Sequence, residues 1–412
     1  MLKDVFSFVV GSARLAFRGG RLYYAWLVAL GLLTAWGATA WWRQVTEGLI
    51  ATNMRDQVSW AFYIGNFTFL VGVAAAAVML VIPAYIYNWK PIKEIAIFGE
   101  LLAISSIVMC MLFVLVDIGR PDRAWHLMPF VGSLNLPSSI LGWDVLVLNL
   151  YLILNLVIVG HLLYTAFFRR PYNSRLVVPL LLFSIPAAVG IHTVTAFVYA
   201  GVAARPFWNS AILAPRFLTS AFCSGPAILL ILFQVLRRTT SIEIKDEAIW
   251  KIAELMAYAM FLNLFLFGAE IFREYYSATQ HLIHSQYLFS GVQGHNALVP
   301  FAWASLIASV VAFLLFLFPV TRHNLVTLNI GCLLIYAGVY IEKGMALVIP
   351  GMTPDTLGEF YEYVPTLVEV RVGAGIFAAG FLVFTLLCKV AIPILQESER
   401  PEDAEHSVAE AA

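Results

Sequence analysis

The chain has 412 residues, of which 61% are hydrophobic and 12% are charged, and its formal net charge is zero. Soluble domains carry about 25% charged residues, so this composition indicates an all-α integral membrane protein rather than a soluble enzyme. With no net charge and no basic stripe, the sequence excludes a protein that binds nucleic acid.

Apolar segments long enough to cross a bilayer occur about ten times, since a membrane helix needs about 20 apolar residues. In chain order they are spans 1 to 10, predicted at 22–43, 58–87, 95–117, 143–168, 177–200, 212–236, 248–272, 298–319, 324–349 and 370–395. Lysine and arginine concentrate in one set of connections, which predicts that both termini are cytoplasmic and that the other connections face outward.

The two ends of the chain lie outside these segments. The first 24 residues have no short apolar core followed by a small-residue cleavage site. They predict a retained, partly amphipathic segment rather than a signal peptide. Residues 397–412 are charged or small and predict a disordered cytoplasmic tail.

Matched positions in spans 3 and 7 predict an internal repeat. Asp117 is followed three residues later by Arg120, and Glu270 is followed in the same way by Arg273, at an offset of 270 − 117 = 153 residues. Four helices in each unit would give parallel repeats. The predicted domains are 1–57 (amphipathic segment and span 1), 58–200 and 201–350 (the two parallel four-helix bundles), 351–396 (an outer loop and span 10) and 397–412 (the tail).

Cysteine and histidine are too few, and too widely spaced, to predict a metal or haem site. The four cysteines lie far apart in apolar segments, without the spacing of zinc, iron–sulfur or c-type haem ligands. Only His161 and His192 lie well inside spans, on different helices and at different depths. No flavin motif is present, so electrons would have to arrive from another subunit.

Ionisable residues inside a bilayer cost at least about 2.5 kcal/mol on insertion scales, so they usually face protein or water. Most of those found here share the outer third of the membrane, together with Tyr63 and Asn66: Asp117, Asp144, His192, Glu270, Arg273, Glu342, Lys343 and Arg371. Ion pairs within a helix end, or a hydrogen-bonded core histidine, would explain several of them. Glu342 and Lys343 are adjacent and point apart on a helix, which favours a functional role.

Acids, a histidine and aromatic residues at one depth favour a quinone, which needs hydrogen-bond donors, two protons and lipid access for its tail. We expect Asp117, His126 and Asp144 to be catalytic. We expect Tyr63, Asn66, Arg120 and Trp143 to contact the quinone. A proton path is expected through Glu100, His192, Glu270, Arg273, Glu342, Lys343 and Arg371. Two other classes stay open, a secondary transporter built from parallel repeats and a purely structural anchor.

The block "DIGRP" that closes span 3, the "GWD" that opens span 4 and the four-plus-four repeat resemble the NrfD family, which includes the membrane subunit of polysulfide reductase. The resemblance covers nearly the whole chain and carries over Asp117, Arg120, Pro121, Trp143 and Asp144 as motif positions. Length and the second long outer loop are most similar to the membrane subunit of the Qrc menaquinone reductase.

This resemblance implies a haem-free subunit of the bacterial inner membrane. It would pass electrons from a periplasmic iron–sulfur partner to menaquinone, beside molybdopterin-type and multihaem cytochrome c subunits. Proton uptake from the cytoplasm would be a variant of this function. Quinol oxidation, as in other NrfD-like reductases, is the alternative direction.

Overall fold

The computed structural model describes residues 2–128, 131–279 and 281–398, so the predicted tail lies almost entirely outside the described residues. Ten helices among the described residues are long and apolar enough to cross a membrane, which confirms the predicted all-α class and the ten spans. Spans 1 to 10 are Arg21–Glu47, Phe62–Ile86, Lys90–Asp117, Ile140–Phe167, Ser174–Ala200, Leu213–Thr239, Asp246–Ser277, Val299–Leu317, Leu325–Met352 and Leu367–Glu397.

An additional helix, Leu2–Ala16, precedes span 1, and we call it the N-terminal helix. Its apolar side chains are largely exposed, with Leu2 86% and Phe6 71% accessible. An exposed apolar face on a helix with basic residues is typical of a helix that lies in the membrane interface. The end of the bundle that carries this helix and the end of span 10 is called the terminal end, and the opposite end is called the loop end.

Two rings of four helices make up the centre of the molecule. Spans 2 to 5 contact one another in the order 2–3, 3–4, 4–5 and 2–5, and spans 6 to 9 contact one another in the equivalent order. We call them the first and second bundles. Their contacts are those that two four-helix repeats require, whereas a duplication of the sequence stays a prediction.

The bundles meet where spans 2 and 6 present small residues to each other. A Cβ added at Gly225 would lie 2.4 Å from the Cβ of Ala76, and one added at Gly72 would lie 3.7 Å from the Cα of Ala221. Gly72 and Gly225 are separated by 225 − 72 = 153 residues, the offset between Asp117 and Glu270. Both therefore lie at the contact between the bundles.

Spans 1 and 10 pack together and cover span 3 on the outside of the first bundle. A Cβ added at Gly37 in span 1 would lie 2.6 Å from the Cα of Gly375 in span 10. This close approach of two backbones is typical of helices that associate through small residues in a membrane. The first bundle thus has two extra helices beside it, and they help to build the site described next.

The loop end is built from connections that bind one another. The Tyr361 hydroxyl donates to Asn53 Oδ1 at 2.7 Å, which joins the connection before span 10 to the connection before span 2. A short helix, Leu282–Phe289, lies in the connection between spans 7 and 8. Its His284 is buried against the Pro350 carbonyl at 2.7 Å, and burial lowers the pKa of this imidazole.

Candidate functional site

A buried polar cluster lies at the loop end of the first bundle, where span 3 stops at Asp117. The fully buried Tyr63 donates its hydroxyl to Gln44 Oε1 at 2.8 Å. The Gln44 amide donates to the Val116 carbonyl at 2.6 Å and so fixes the end of span 3 against span 1. Asp117 Oδ1 is buried and has no hydrogen-bond partner among the described residues. A carboxylate oxygen in this state is available to a ligand.

Glu369 is a second carboxylate beside this cluster, and it is fully satisfied. It accepts hydrogen bonds from the Asn53 backbone N–H at 3.0 Å and from the Thr366 N–H and hydroxyl at 2.8 and 2.9 Å, and also from the Tyr363 hydroxyl. The Glu369 N–H in turn donates to the Thr366 hydroxyl, which completes a capping box at the start of span 10. We did not predict Glu369, although a threonine three residues before a glutamate, ahead of an apolar run, is its sequence signal.

Asp144 and His192 are brought together on spans 4 and 5. Asp144 is 2% exposed and accepts a 2.6 Å hydrogen bond from the Thr195 hydroxyl. His192 lies one turn before Thr195, and its Nδ1 bonds to the Ala188 carbonyl at 2.7 Å. Its Nε2 is buried without a partner among the described residues. The Tyr199 hydroxyl lies within electrostatic range of both Asp144 and Asp117, so the two acids border the same region.

Three of the residues expected around the headgroup lie at the surface of the loop end instead. His126 is exposed and stacks on Trp125 with ring centroids 3.8 Å apart. Arg120 binds both oxygens of Asp122 at 3.0 Å, and this guanidinium holds the pKa of the Asp122 carboxyl below its usual value. Trp143 is also exposed, and its indole N–H donates to the Pro137 carbonyl at 3.0 Å.

Asn66 is buried but faces the second bundle. Its side-chain oxygen accepts the Tyr340 hydroxyl at 2.9 Å, and its amide donates to the Phe62 carbonyl at 2.7 Å. Both hydrogen bonds are made within the protein, so Asn66 joins span 2 to span 9. Its side chain therefore contacts Tyr340 of span 9 rather than the polar cluster around Asp117.

Glu100 lies in the half of the first bundle nearer the terminal end. It is 3% exposed, and its Oε2 has no partner among the described residues. The Tyr151 hydroxyl on span 4 lies within electrostatic range of Glu100 and, like the Ser106 hydroxyl on span 3, is buried without a hydrogen-bond partner in the described part of the chain. Polar side chains thus continue from the Asp144 region towards the terminal end.

The second bundle holds a network of charges centred on Arg216, which is 6% exposed and whose Nε is buried without a hydrogen-bond partner among the described residues. Its guanidinium binds Glu270 and also donates to Glu342 Oε1 at 2.8 Å. Glu342 accepts a 3.1 Å hydrogen bond from the Asn263 amide and pairs with Lys343 at 3.0 Å. We did not predict Arg216 or Asn263 as members. Their only sequence signal is that each is a polar residue inside an apolar span.

Arg273 and Arg371 are not part of this Arg216 network. Arg273 pairs with Glu274 at 3.3 Å and is half exposed, so the pair that we considered between Glu270 and Arg273 does not form. Arg371 donates to the Thr39 hydroxyl at 2.8 Å on span 1, outside the first bundle. The residues expected in one proton path therefore occupy four separate places: the first bundle, the Arg216 network, the Arg273 pair and the contact of Arg371 with span 1.

Comparison of the two bundles at the 153-residue offset shows how they differ. Tyr63 of the first bundle corresponds to Arg216 of the second, because 216 − 63 = 153, and Asp117 corresponds to Glu270. The acid of the second bundle therefore has a guanidinium partner. The acid of the first bundle has a neutral tyrosine nearby, and one of its oxygens is without a partner among the described residues.

An apolar groove lies between spans 1, 3 and 10, on the side of the first bundle. Its volume is about 130 Å³, and it is lined by residues such as Trp41, Leu112, Val116 and Ile376. Val116 directly precedes Asp117, and Gln44 follows Trp41 by three residues, so the groove and the polar cluster are built on neighbouring turns of the same helices. The second bundle contains a cavity of about 50 Å³ beside Arg216.

No three His, Cys, Asp or Glu side chains within the described ranges come together as metal ligands.

A family model described as "Polysulphide reductase, NrfD" matches residues 51–354. A putative membrane subunit of dimethyl sulfoxide reductase from Halobacterium salinarum is 28% identical, over 88% of this chain and 90% of that protein. An Hdr-like menaquinol oxidoreductase integral membrane subunit of Archaeoglobus fulgidus is 24% identical, over 89% and 93%. A menaquinone reductase integral membrane subunit of Nitratidesulfovibrio vulgaris is 27% identical over 25% of each chain.

Proposed function

Because this chain belongs to the polysulphide reductase NrfD family, we propose that it is the menaquinone-binding membrane subunit of a periplasm-facing respiratory oxidoreductase. Its relatives are named as membrane subunits of reductases and of a menaquinol oxidoreductase, which supports a role within a multisubunit complex. We place it in the bacterial inner membrane with the terminal end in the cytoplasm. The loop end then faces the periplasm and an iron–sulfur partner, with molybdopterin-type and multihaem cytochrome c subunits beyond it.

The headgroup site proposed here lies beside Asp117. The observation that carries it is that a residue lining the apolar groove, Val116, directly precedes Asp117, whose Oδ1 is buried without a partner among the described residues. A menaquinone needs an apolar medium for its isoprenoid tail and hydrogen-bond donors for its carbonyl oxygens, and the Asp117 carboxyl in its protonated form would be such a donor. The relay from Tyr63 to Gln44 would hold the wall of the site in place.

Menaquinone reduction takes two electrons and two protons and gives menaquinol. The electrons would come from the iron–sulfur partner over the loop end, since the proposal assigns no redox group to this chain. The protons would come from Asp117, whose Oδ1 has no partner among the described residues, and from Asp144, whose hydrogen bond from Thr195 holds it in a fixed rotamer. The surface positions of His126, Arg120 and Trp143 suit the docking of the partner better than contact with the headgroup.

Proton uptake from the cytoplasm is part of this proposal, and we assign it to the first bundle. Glu100, Tyr151, Ser106 and His192 each present a buried polar atom without a partner in the described structure. Buried water would satisfy such atoms and join them into a chain towards Asp144. The Arg216 network of the second bundle is better suited to a structural role.

A secondary transporter is less well supported. Carriers built from repeats commonly break their helices at matched positions, where unwound backbone binds the substrate. Span 9 is interrupted at Gly344 and span 2 at Ala75, whereas spans 5 and 6, which hold the equivalent positions, run unbroken. The interruptions are therefore not at matched positions in the two bundles.

Quinol oxidation is the second candidate, and the names of two relatives favour it. Two of the relatives that match most of this chain are named as a putative dimethyl sulfoxide reductase membrane subunit and a menaquinol oxidoreductase subunit, and reduction of a sulfoxide consumes electrons that a quinol could supply. The same residues would then accept protons instead of donating them. The potential of the electron donor, and not the geometry of this chain, would set the direction.

The first test uses the native complex purified in detergent, with its subunits identified by mass spectrometry. Reduction of a menaquinone analogue by a low-potential donor, and oxidation of the matching quinol, are measured with and without a quinone-site inhibitor. Asp117→Asn and Asp144→Asn should each lower turnover by about 10²-fold, the lower range for a positioned general acid, in complexes that still assemble. Asp56→Asn, at an exposed carboxylate of the loop end, is the matched control.

The groove has its own test. Ala38→Phe adds a ring within it and should raise the KM for a long-tailed quinone far more than the KM for a tailless one. A lone chain without redox partners would contradict the proposed function, as would full activity of assembled Asp117→Asn and Asp144→Asn complexes. Equal changes in KM for the two quinones would contradict the placement of the isoprenoid tail in the groove.

A further inference from the structure

A basic cavity at the terminal end has no role in the proposed quinone site. Its volume is about 250 Å³, and it lies between the N-terminal helix and the ends of spans 4 and 10. Among the described residues, its lining contains the guanidinium groups of Arg14, Arg18 and Arg169 and the carboxylate of Glu397. The described lining is therefore richer in basic than in acidic side chains.

Apolar residues complete the lining of this cavity. Leu15, Phe167 and Ile394 are the larger apolar members of the lining. The N-terminal helix approaches span 4 so closely that a Cβ added at Gly11 would lie 2.6 Å from the ring of Phe167. Arginine above an apolar wall is the arrangement that receives a charged headgroup and the start of its acyl chains.

The turn between the N-terminal helix and span 1 is fixed by hydrogen bonds. The Tyr23 hydroxyl donates to the Ala16 carbonyl at 2.5 Å, and the Tyr24 hydroxyl donates to the Phe17 carbonyl at 2.6 Å. These two bonds hold Arg18 where it lines the cavity. Neither Arg14 nor Arg18 forms an ion pair within the described part of the chain, so both keep their hydrogen-bonding capacity for a ligand.

Arg169 enters the cavity from an unusual backbone position. Span 4 ends at Phe167, and Arg169 follows with φ 50°, in the left-handed region that favours glycine or asparagine. Its backbone N–H bonds to the Ala166 carbonyl at 3.0 Å, which closes the end of the helix.

We propose that this cavity, the arginine cradle, binds the phosphate headgroup of an anionic phospholipid from the leaflet at the terminal end. The occupant is a lipid rather than a free anion, because the N-terminal helix exposes Leu2, Phe6 and Val9 and so lies at the lipid boundary itself. The lipid would fasten the N-terminal helix to the ends of spans 4 and 10. This inference does not depend on the quinone site.

The test measures lipid binding to the full chain, purified in detergent and stripped of lipid, by native mass spectrometry. Phosphatidylglycerol and phosphatidylcholine with the same acyl chains are the probes. We expect one preferred phosphatidylglycerol, and we expect Arg14→Gln with Arg18→Gln to weaken its binding about 30-fold, or roughly fivefold for each arginine. The matched control is Arg175→Gln with Arg238→Gln, which removes two exposed charges from the same end outside the cradle.

If the double glutamine variant does not fold, Arg18→Gln alone and the charge-retaining Arg14→Lys with Arg18→Lys decide the matter. The first should bind about fivefold more weakly, and the second should stay within about fivefold of the parent protein. Equal binding of the two lipids would overturn the proposal. Unchanged phosphatidylglycerol binding in the double variant or in Arg18→Gln would do the same. If millimolar inorganic phosphate displaces the lipid, the arginine cradle is a site for a free anion, and the proposal of a lipid site is overturned.

Discussion

Substitution of Arg216 by glutamine separates a structural role of the second bundle from a functional one. Arg216 is buried and binds both Glu270 and Glu342, whose side chains are 14% and 12% exposed. Glutamine keeps part of the volume and removes the charge. Two carboxylates then remain inside the bundle with only Lys343 opposite Glu342.

The expected loss follows from the burial of these groups. Removing one partner of a buried ion pair typically costs about 3–5 kcal/mol, because the remaining charge stays desolvated without compensation. The lower figure corresponds to about a 10²-fold change in the unfolding equilibrium. The Asn263 amide and Lys343 still contact Glu342, so we expect about 3 kcal/mol rather than the upper figure.

The assay is a double-substitution cycle read by reversible unfolding in mixed micelles of mild detergent and dodecyl sulfate. Arg216→Gln, Glu270→Gln and the combined variant are compared with the parent protein. The combined variant should be more stable than the sum of the single losses predicts, by about 1–3 kcal/mol, since the two residues are in contact. An Arg216→Gln protein that is as stable as the parent, yet has lost quinone turnover, would refute the structural role.

Three further substitutions test the packing, a titrating group and the cap. Gly37→Leu should lower the melting temperature by pushing span 10 away, whereas Gly31→Leu in the same helix meets nothing within 4 Å and should have little effect. Burial lowers the pKa of His284, so its folded form stays neutral while the unfolded chain takes up a proton. Stability should therefore fall as the pH drops below about 6.5, and His284→Gln should reduce that slope in thermal melts. Glu369→Gln should cost about 1–3 kcal/mol because it disturbs four donated hydrogen bonds, and Tyr363→Phe, which removes one donor, should cost less in the same melts.

The spans were predictable from sequence because the bilayer imposes one length on every crossing helix. All ten predicted segments correspond to helices, including span 10, predicted at 370–395 and found at Leu367–Glu397. Their ends shifted by a few residues where local hydrogen bonds decide the boundary. The capping box of Thr366 and Glu369 starts span 10 earlier than hydropathy does, because a capping glutamate is polar.

The pairing of charges was harder to predict, because spacing along a helix matters only while the helix continues. Asp117 and Arg120 are three residues apart, but span 3 ends at Asp117, and Arg120 has φ −130° and ψ 75°. Arg120 therefore turns to Asp122 in the same loop. The pairing of Arg216 could not be predicted for another reason. An arginine near the end of an apolar segment gives the same sequence pattern whether its side chain extends to water or points into the bundle.

We propose that the difference between the two bundles places the quinone site in the first of them. In the second bundle, Glu270 and Glu342 both bind the Arg216 guanidinium, so neither acid is free to exchange a proton with a substrate. In the first bundle, Tyr63 donates to Gln44, and an oxygen of Asp117 is left without a partner among the described residues. Spans 1 and 10 pack beside the first bundle and supply the sides of the apolar groove. A protonated Asp117 carboxyl near an apolar groove would donate to a quinone carbonyl, so the bundle with fewer internal ion pairs is the one that we expect to carry the chemistry.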